Sequence, residues 1–365
     1  MSAPASLPPG LEARLVALLP GARVVRARAL GDDEGDTKGE ARKELGFGRP
    51  IRVDLATADG PRSVVVHTAR ANDFGHDRRA DRADAMLLAY DTFSLVPGHV
   101  RALDVGAIRD DGTLLPLDHT GELYLVTEWA EGALYADDLR RVAETGVVTP
   151  LDLARVEALA ERLGEIHALP GSHAGAYVRA IRDLVGHGEG IAGIVDAYPD
   201  DTPHAPRDRL ERIEHAVLDW RHRLKRDVGR LRRTHGDFHP FNLLFAPDSD
   251  VPVLLDTSRG SEGDPADDVA ALSLNYLFFG LAHRERWASG LGVLWTRFFE
   301  AYARHATIDV MPVLAPFYAW RGLVVACPLW YPATRQDDRR RILDFVERVL
   351  AAPRFDPAWG AEAMR

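Results

Sequence analysis

Cysteine is almost missing from this sequence: Cys327 is the only one among 365 residues. A lone cysteine forms no internal disulfide, and its apolar setting between Val324 and Trp330 suits a buried, unreactive thiol. Lysine is scarce as well, with only Lys38, Lys43 and Lys225 against a large excess of arginine. That scarcity narrows which side chains can offer an ammonium group to a phosphate. No apolar run reaches the ~18 residues that a membrane-spanning helix needs. The N-terminal stretch from Met1 to Gly21 lacks a basic start followed by an unbroken apolar segment, so no signal peptide is read there. These absences point to a cytoplasmic protein that does not engage membranes. The formal net charge of −10 argues against a general affinity for nucleic acid.

What is present is ordinary soluble-protein material, 46% hydrophobic and 27% charged, long enough for two packed lobes. After a short helix around residues 9–19, the first third reads as strands. Val24–Leu30 is the first, and Ile51–Thr57 alternates with Ile51, Val53 and Leu55 on one face. The turn Ala58-Asp59-Gly60-Pro61 leads into Ser63–Thr68, which predicts a hairpin. A helical stretch within 74–95 runs through Met86, Leu87 and Leu88. Val100–Ile108 and Glu122–Glu128 are further strand candidates, separated by a polar loop over 109–121. The pattern predicts a small sheet with one helix packed on it.

From Gly132 onward the pattern turns to long helices. Thr149-Pro150-Leu151-Asp152 is a helix start, with Thr149 as N-cap and Pro150 at the first helical position. The helix it opens places Val156, Leu159, Leu163 and Ile166 on one face and ends near Pro170-Gly171. Residues 207–232 space Leu210, Ile213, Val217, Trp220, Leu224, Val228 and Leu231 by three or four, an amphipathic helix with arginines on the wet side. Residues 337–350 are helical again.

The chemistry concentrates in Thr234-His235-Gly236-Asp237-Phe238-His239-Pro240-Phe241-Asn242, followed by apolar Leu243-Leu244-Phe245. Fourteen residues after Asn242 comes Asp256, directly behind the apolar run Val251–Leu255. Two apolar runs joined by the loop 246–250 predict a β-hairpin with a polar residue at each base. Such a layout suits phosphoryl transfer: an aspartate accepts the proton of an attacking hydroxyl, while an amide and a second carboxylate hold magnesium against the nucleotide phosphates.

These residues resemble the signature of the aminoglycoside phosphotransferase and choline kinase family, in which HGDxxxxN is followed by an apolar strand and a further Asp. The resemblance implies an α+β, bilobal, protein-kinase-like fold. It places a small antiparallel-sheet N-lobe over residues 1–130 and a larger, mainly helical C-lobe over 131–365. It implies ATP and Mg2+ as cofactors, Asp237 as catalytic base, Asn242 and Asp256 as metal ligands, and a structural His235. Gly263-Asp264-Pro265-Ala266-Asp267-Asp268 looks like the segment in which Asp264 and Asp268 brace the catalytic loop. Leu123–Gly132 looks like the hinge, where backbone near Glu128, Trp129 and Ala130 would meet the adenine edge. Leu159–Leu169 resembles the helix that follows, with a structural His167.

The pattern also breaks. The strand Ser63–Val66 should end in a phosphate-gripping lysine, and this chain has His67, which supplies no permanent charge at pH 7. Asp81 or Asp84 would have to support an imidazolium there; otherwise Lys43, Lys38 or Arg70 takes the part. Gly31, Gly35, Gly39, Gly46 and Gly48 punctuate the stretch before Ile51, yet Asp32, Asp33, Glu34 and Asp36 would repel phosphate. Three readings stay open: a kinase acting on a small-molecule hydroxyl, a nucleotide-binding pseudokinase serving as a regulatory module, and an enzyme transferring another part of the nucleotide. The intact base and both metal ligands favour the first. Trp287, Trp295, Tyr318, Trp320, Arg321, Trp330 and Tyr331 are candidates for an acceptor pocket, and Glu262 and Asp267 would suit a cationic acceptor.

Overall fold

A computed structural model describes residues 7, 10–29, 50–72, 75–123, 125–257 and 260–365 of the chain. Lys38, Lys43 and the glycines between 31 and 48 lie outside the described residues. The chain divides into two compact units, residues 1–127 and 128–365.

The first unit opens with α1 (Leu11–Leu18) and an antiparallel sheet of β1 (Arg23–Ala29), β2 (Ile51–Thr57) and β3 (Gly60–Val66), with β2 central. Val53 and Leu55 of β2 are buried together with Leu11 and Leu15 of α1, so the expected alternation does point one strand face at a core. The helix on that core is the N-terminal one. The sequence pattern pointed instead to the helix around Met86, which forms as α2 (Arg79–Thr92) but buries none of its residues. Its apolar residues Met86, Leu87 and Leu88 are consecutive, so they fan around the axis and build no single stripe.

β3 begins three residues earlier than expected. Gly60, at φ +109°, closes the turn, and the Thr57 hydroxyl donates to its carbonyl at 2.7 Å, so the ladder starts at the turn itself. It ends at Val66, leaving exposed His67 one residue past the strand. Of the expected strand over 100–108 only β4 (Gly106–Ile108) pairs, and its partner β5 (Leu114–Pro116) lies inside the stretch read as a polar loop. Asp111-Gly112 makes the turn, with Gly112 at φ +80° and Arg109 N–H donating to the Thr113 carbonyl at 2.8 Å. No strand forms among the described residues of 122–128. Alternation alone makes no strand without a neighbour to take the hydrogen bonds.

The second unit carries β6 (Ala133–Leu134), α3 (Tyr135–Thr145), α4 (Pro150–Ala168), α5 (Ala174–Gly186), α6 (Ile191–Asp196) and α7 (Arg207–Leu224). There follow β7 (Arg232–Arg233), β8 (Leu243–Phe245), β9 (Pro252–Leu254), β10 (Glu262–Gly263) and α8 (Ala266–Leu281). The chain closes with α9 (Leu291–His305), α10 (Leu314–Ala326), α11 (Gln336–Ala351) and α12 (Trp359–Ala363). Thr149 caps α4 as expected: its hydroxyl accepts the Asp152 N–H at 3.2 Å, and Asp152 accepts the Thr149 N–H at 2.7 Å. The helix read over 207–232 stops at Leu224, and a 3-10 turn over Val228–Arg230 continues the burial toward Leu231. β8 and β9 form the expected hairpin, with β6 as third strand. Arg155 of α4 clamps its tip, donating to the carbonyls of Ser249 at 2.9 Å and Ala246 at 3.1 Å while stacking on Phe245. No helix among the described residues is long and apolar enough to cross a membrane.

α4 packs along α9 at a glycine. A Cβ on Gly164 would sit 2.5 Å from the His305 Cβ and 3.0 Å from its carbonyl oxygen. Gly186 of α5 has nothing within 4 Å of the same position. Ala at an open helical site usually gains up to about 1 kcal/mol over Gly, whereas overpacking costs about 1–3 kcal/mol. Gly164→Ala should therefore destabilise by about that amount in chemical denaturation, and Gly186→Ala should be neutral or stabilising. A gain for both would show that α4 and α9 separate freely.

Candidate active site

The loop between β7 and β8 is fixed by one carboxylate. Asp268, in the first turn of α8, is fully buried and accepts the N–H of His235 and the N–H of Gly236, each at 2.8 Å. Its Oδ2 also meets His167 Nε2 at 3.1 Å, and His167 Nδ1 meets the Tyr302 hydroxyl at 2.9 Å. Burial pushes the Tyr302 phenol well up, and the charges of Asp264 and Asp268 add to this, so it stays a donor. His167 therefore accepts on Nδ1 and donates Nε2–H to Asp268. Burial alone would raise the Asp268 carboxyl, but the His167 bond and the His235 amide outweigh it and hold the group below its ordinary range.

Gly236 stands at φ +80°, which a residue with a Cβ adopts at a cost, and this bend turns the chain so that Asp237 follows. Asp237 N–H donates to His235 Nδ1 at 3.2 Å, so the proton of a neutral His235 sits on Nε2, which is buried with no partner among the described residues. The 3-10 turn Pro240–Asn242 then brings Asn242 back to Asp237. Its Nδ2 donates to the Asp237 carbonyl at 3.1 Å and lies 3.4 Å from Oδ2. With the nitrogen so engaged, the Asn242 amide oxygen has no hydrogen-bond donor among the described residues. Leu243 pairs with Leu254 and the Leu255 N–H donates to the Asn242 carbonyl at 2.9 Å. Asp256 thus follows one residue past the position opposite Asn242. It is exposed, makes no hydrogen bond among the described residues, and holds φ +49°, a left-handed conformation uncommon outside glycine.

Asp237, Asn242 and Asp256 are therefore gathered at the base of one hairpin. Glu128, Trp129 and Ala130 lead into β6 of the same small sheet, and the Glu128 and Ala130 backbone groups make no hydrogen bond among the described residues. Trp129 is exposed and donates Nε1–H to Glu131 at 2.7 Å. His67 belongs to the first unit, and Asp81 there caps α2 by accepting the Arg78 N–H at 2.7 Å. Lys43 falls outside the described residues.

Other acids are already committed. Asp264, expected to brace the loop with Asp268, acts one step away: it takes Arg230 through Nε at 2.7 Å and Nη2 at 2.9 Å, and the Tyr177 hydroxyl at 2.7 Å. Glu262 takes the Ser172 N–H and hydroxyl at 2.8 and 2.7 Å, and Asp267 takes Arg321 at 2.8 Å. Glu262 and Asp267, the two acids expected to suit a cationic acceptor, are thus both engaged within the protein, Asp267 by a cation and Glu262 by a neutral serine.

Trp287, Trp295, Tyr318 and Trp320 are buried, so they build the core of the unit. Trp330 is 60% exposed, and Tyr331 packs edge-on against Phe278. The Tyr331 phenol is pushed up by burial and by the charge of Asp237. Arg321 carries a role that spacing did not show: its Nη1 donates to Asp237 Oδ1 at 2.7 Å. No local signal marks it beyond being the lone charge in an apolar helix.

Fold and loop together have the kinase-like α+β arrangement expected from the sequence. The model of the phosphotransferase enzyme family matches residues 55–308, and the chain belongs to that family. Among curated proteins none matches significantly. Three solved structures are similar at low identity. A glucosamine kinase bound to glucosamine, ADP and inorganic phosphate is 18% identical, with a TM-score of 0.38, over 59% of this chain and 58% of that one. An aminoglycoside phosphotransferase from Streptomyces rimosus bound to ADP and streptomycin is 18% identical, with a TM-score of 0.34, over 83% and 91%. An ethanolamine kinase of Plasmodium vivax is 11% identical, with a TM-score of 0.34, over 86% and 78%. The chain spans little more than half the length of the glucosamine kinase, and at such overlaps membership rests on the family match alone.

Asp268→Asn replaces an acceptor of two amides by a group that brings its own N–H donors. The folded carboxyl is held below its unfolded value, so its stabilisation is full above about pH 4 and is lost as pH falls further. The wild type should lose stability below that pH, and the variant, already less stable at pH 7, should show a shallower acid limb. Equal acid limbs in denaturant titrations would remove Asp268 as the brace.

Proposed function

We propose that this chain transfers the γ-phosphoryl group of ATP to a hydroxyl of a small molecule, with Asp237 as the base. The observation that carries the reading is the pairing of Asp237 with Asn242 on a loop fixed by a buried carboxylate. A base held in this way needs no reorganisation to meet a hydroxyl, and positioning of that kind is the main contribution of an enzyme to phosphoryl transfer. Asp237 Oδ2 takes the proton of the acceptor hydroxyl as its oxygen attacks.

Asn242 and Asp256 fit Mg2+. Both offer hard oxygens that accept no hydrogen bond among the described residues, and a pair of ligands rather than a cage is what this ion takes from proteins. When bound, Mg2+ would neutralise the phosphate charge. Glu128, Trp129 and Ala130 are assigned to the adenine edge, on the strength of free backbone groups at Glu128 and Ala130. The phosphate-binding cation is assigned to His67 or Lys43. His67 has the exposure for it, although Asp81 is engaged as a helix cap. A single buried cysteine and the use of ATP suit a cytoplasmic enzyme.

The direct test is ADP release across a panel of amino, sugar and amino-alcohol acceptors. Asp237→Asn should melt with the wild type and lose about 10²–10⁴-fold in turnover; unchanged turnover removes Asp237 from the role of base. Asp256→Ala should abolish the tightening of ATP binding by magnesium in calorimetry, and Asn242→Ala should weaken it less, since a neutral amide attracts the ion less. Wild-type magnesium dependence in Asp256→Ala would sink the metal assignment.

A further inference from the structure

α10, Leu-Ala-Pro-Phe-Tyr-Ala-Trp-Arg-Gly-Leu-Val-Val-Ala, contains one charged residue, Arg321, and that residue is only 9% exposed. Burying a guanidinium costs several kcal/mol unless partners replace its water. Arg321 has two carboxylates: Nη1 donates to Asp237 Oδ1 at 2.7 Å and Nη2 to Asp267 Oδ1 at 2.8 Å, with the Gly236 carbonyl at 3.2 Å. Its plane stacks on Trp320, 4.0 Å from the ring centre. Gly322 seats the helix, since a Cβ there would lie 2.4 Å from Val346 of α11. Burial pushes the guanidinium down, but Asp267 and Asp237 outweigh it, so the charge is kept.

The remaining nitrogen is informative. Arg321 Nε is buried with no hydrogen-bond partner among the described residues, which is unfavourable for a charged group. A guanidinium placed only to hold helices together would turn to satisfy that group. Here its orientation is dictated by the two carboxylates. Asp237 Oδ1 thus has a short charge-assisted bond, while Asn242 Nδ2 and His239 Nε2 each lie 3.4 Å from Oδ2.

We infer that Arg321 is a positioning residue for the base: anchored by Asp267, it fixes the orientation of the Asp237 carboxylate through Oδ1. The inference rests on the reading of Asp237 as base. Its signature is dependence: the effect of Arg321 passes through the Asp237 carboxylate and disappears when that carboxylate is gone.

The test measures ADP release from ATP, with water alone as acceptor and with any acceptor the panel identifies. It compares the wild type, Arg321→Met, Arg321→Lys and Asp267→Asn, each alone and combined with Asp237→Asn. Arg321→Met should lower kcat about 10²-fold, the scale of a misplaced catalytic group. Arg321→Lys keeps the charge but loses the second arm, and should recover part of that loss. KM for ATP should stay within about twofold throughout. In the Asp237→Asn background the same substitutions should change kcat by less than about twofold, because residues acting as one unit are not additive. Equal losses in both backgrounds would make Arg321 a structural clamp, and a raised KM for ATP at unchanged kcat would make it a nucleotide ligand. Either outcome overturns the inference and leaves the kinase reading standing. If Arg321→Met does not fold, Arg321→Lys and Asp267→Asn make the same comparison. Wild-type protein releasing no ADP with any acceptor or with water would overturn the kinase reading itself, and the inference with it.

Discussion

The second unit turns on a carboxylate that no water reaches. Asp268 accepts two successive backbone amides, and its third partner is an imidazole that is itself held by a buried phenol. A buried ionised carboxyl is unfavourable unless each lone pair finds a donor. That condition ties four parts of the chain together: α8 supplies the acid, the loop after β7 the amides, α4 the histidine and α9 the tyrosine. None can shift without leaving a buried charge short of a donor. The close α4–α9 approach at Gly164 belongs to the same constraint, since it brings His167 and Tyr302 within bonding distance. Loop geometry is thus set by helix packing, which is stiff, and not by the loop itself.

Neighbouring residues of α8 divide the work. Asp268 grips the backbone before Asp237, while Asp267 grips Arg321, which grips Asp237 from the side-chain end. One helical turn therefore addresses both the main chain and the side chain of the same residue. Behind it, Asp264 ties Arg230 and Tyr177 into the entrance of β7. Three acids within five positions each perform a separate task. The charges of this acidic segment are thus used largely within the protein.

Much of this could be read in advance wherever the signal was local. The Thr149 cap, the Ile51–Thr57 alternation and the β8–β9 hairpin all depend on residues close in sequence, and each formed where expected. The Asp237–Asn242 contact was legible for the same reason, being set by one short turn. The misses share a different cause. α1, and not α2, covers the first sheet, because coverage depends on which helix presents a single apolar stripe to a distant strand. The strand expected over 122–128 had the pattern but no partner. Arg321 lies 84 residues beyond Asp237, and no periodicity connects an apolar helix to a loop on another element. Its only trace was a lone arginine among apolar neighbours, a buried charge waiting for an explanation.

Charge around the loop supplies the last step. Asp237, Asp256, Asp267 and Asp268 are four carboxylates, and Arg321 is the one permanent cation that touches any of them among the described residues. A nucleotide triphosphate carries several negative charges, so this surface taken alone would repel it. The repulsion is concentrated where it can be relieved. Arg321 balances Asp267, and the hydrogen bonds of Asp268 are all internal. That leaves Asp256 as the carboxylate with no hydrogen bond among the described residues. Asp256 would then be the place for a divalent cation, and Asp237 the place for a hydroxyl proton. On the proposed reading the two carboxylates have different tasks: Asp256 is exposed and makes no hydrogen bond among the described residues, while Asp237 is held by an arginine delivered from a buried helix.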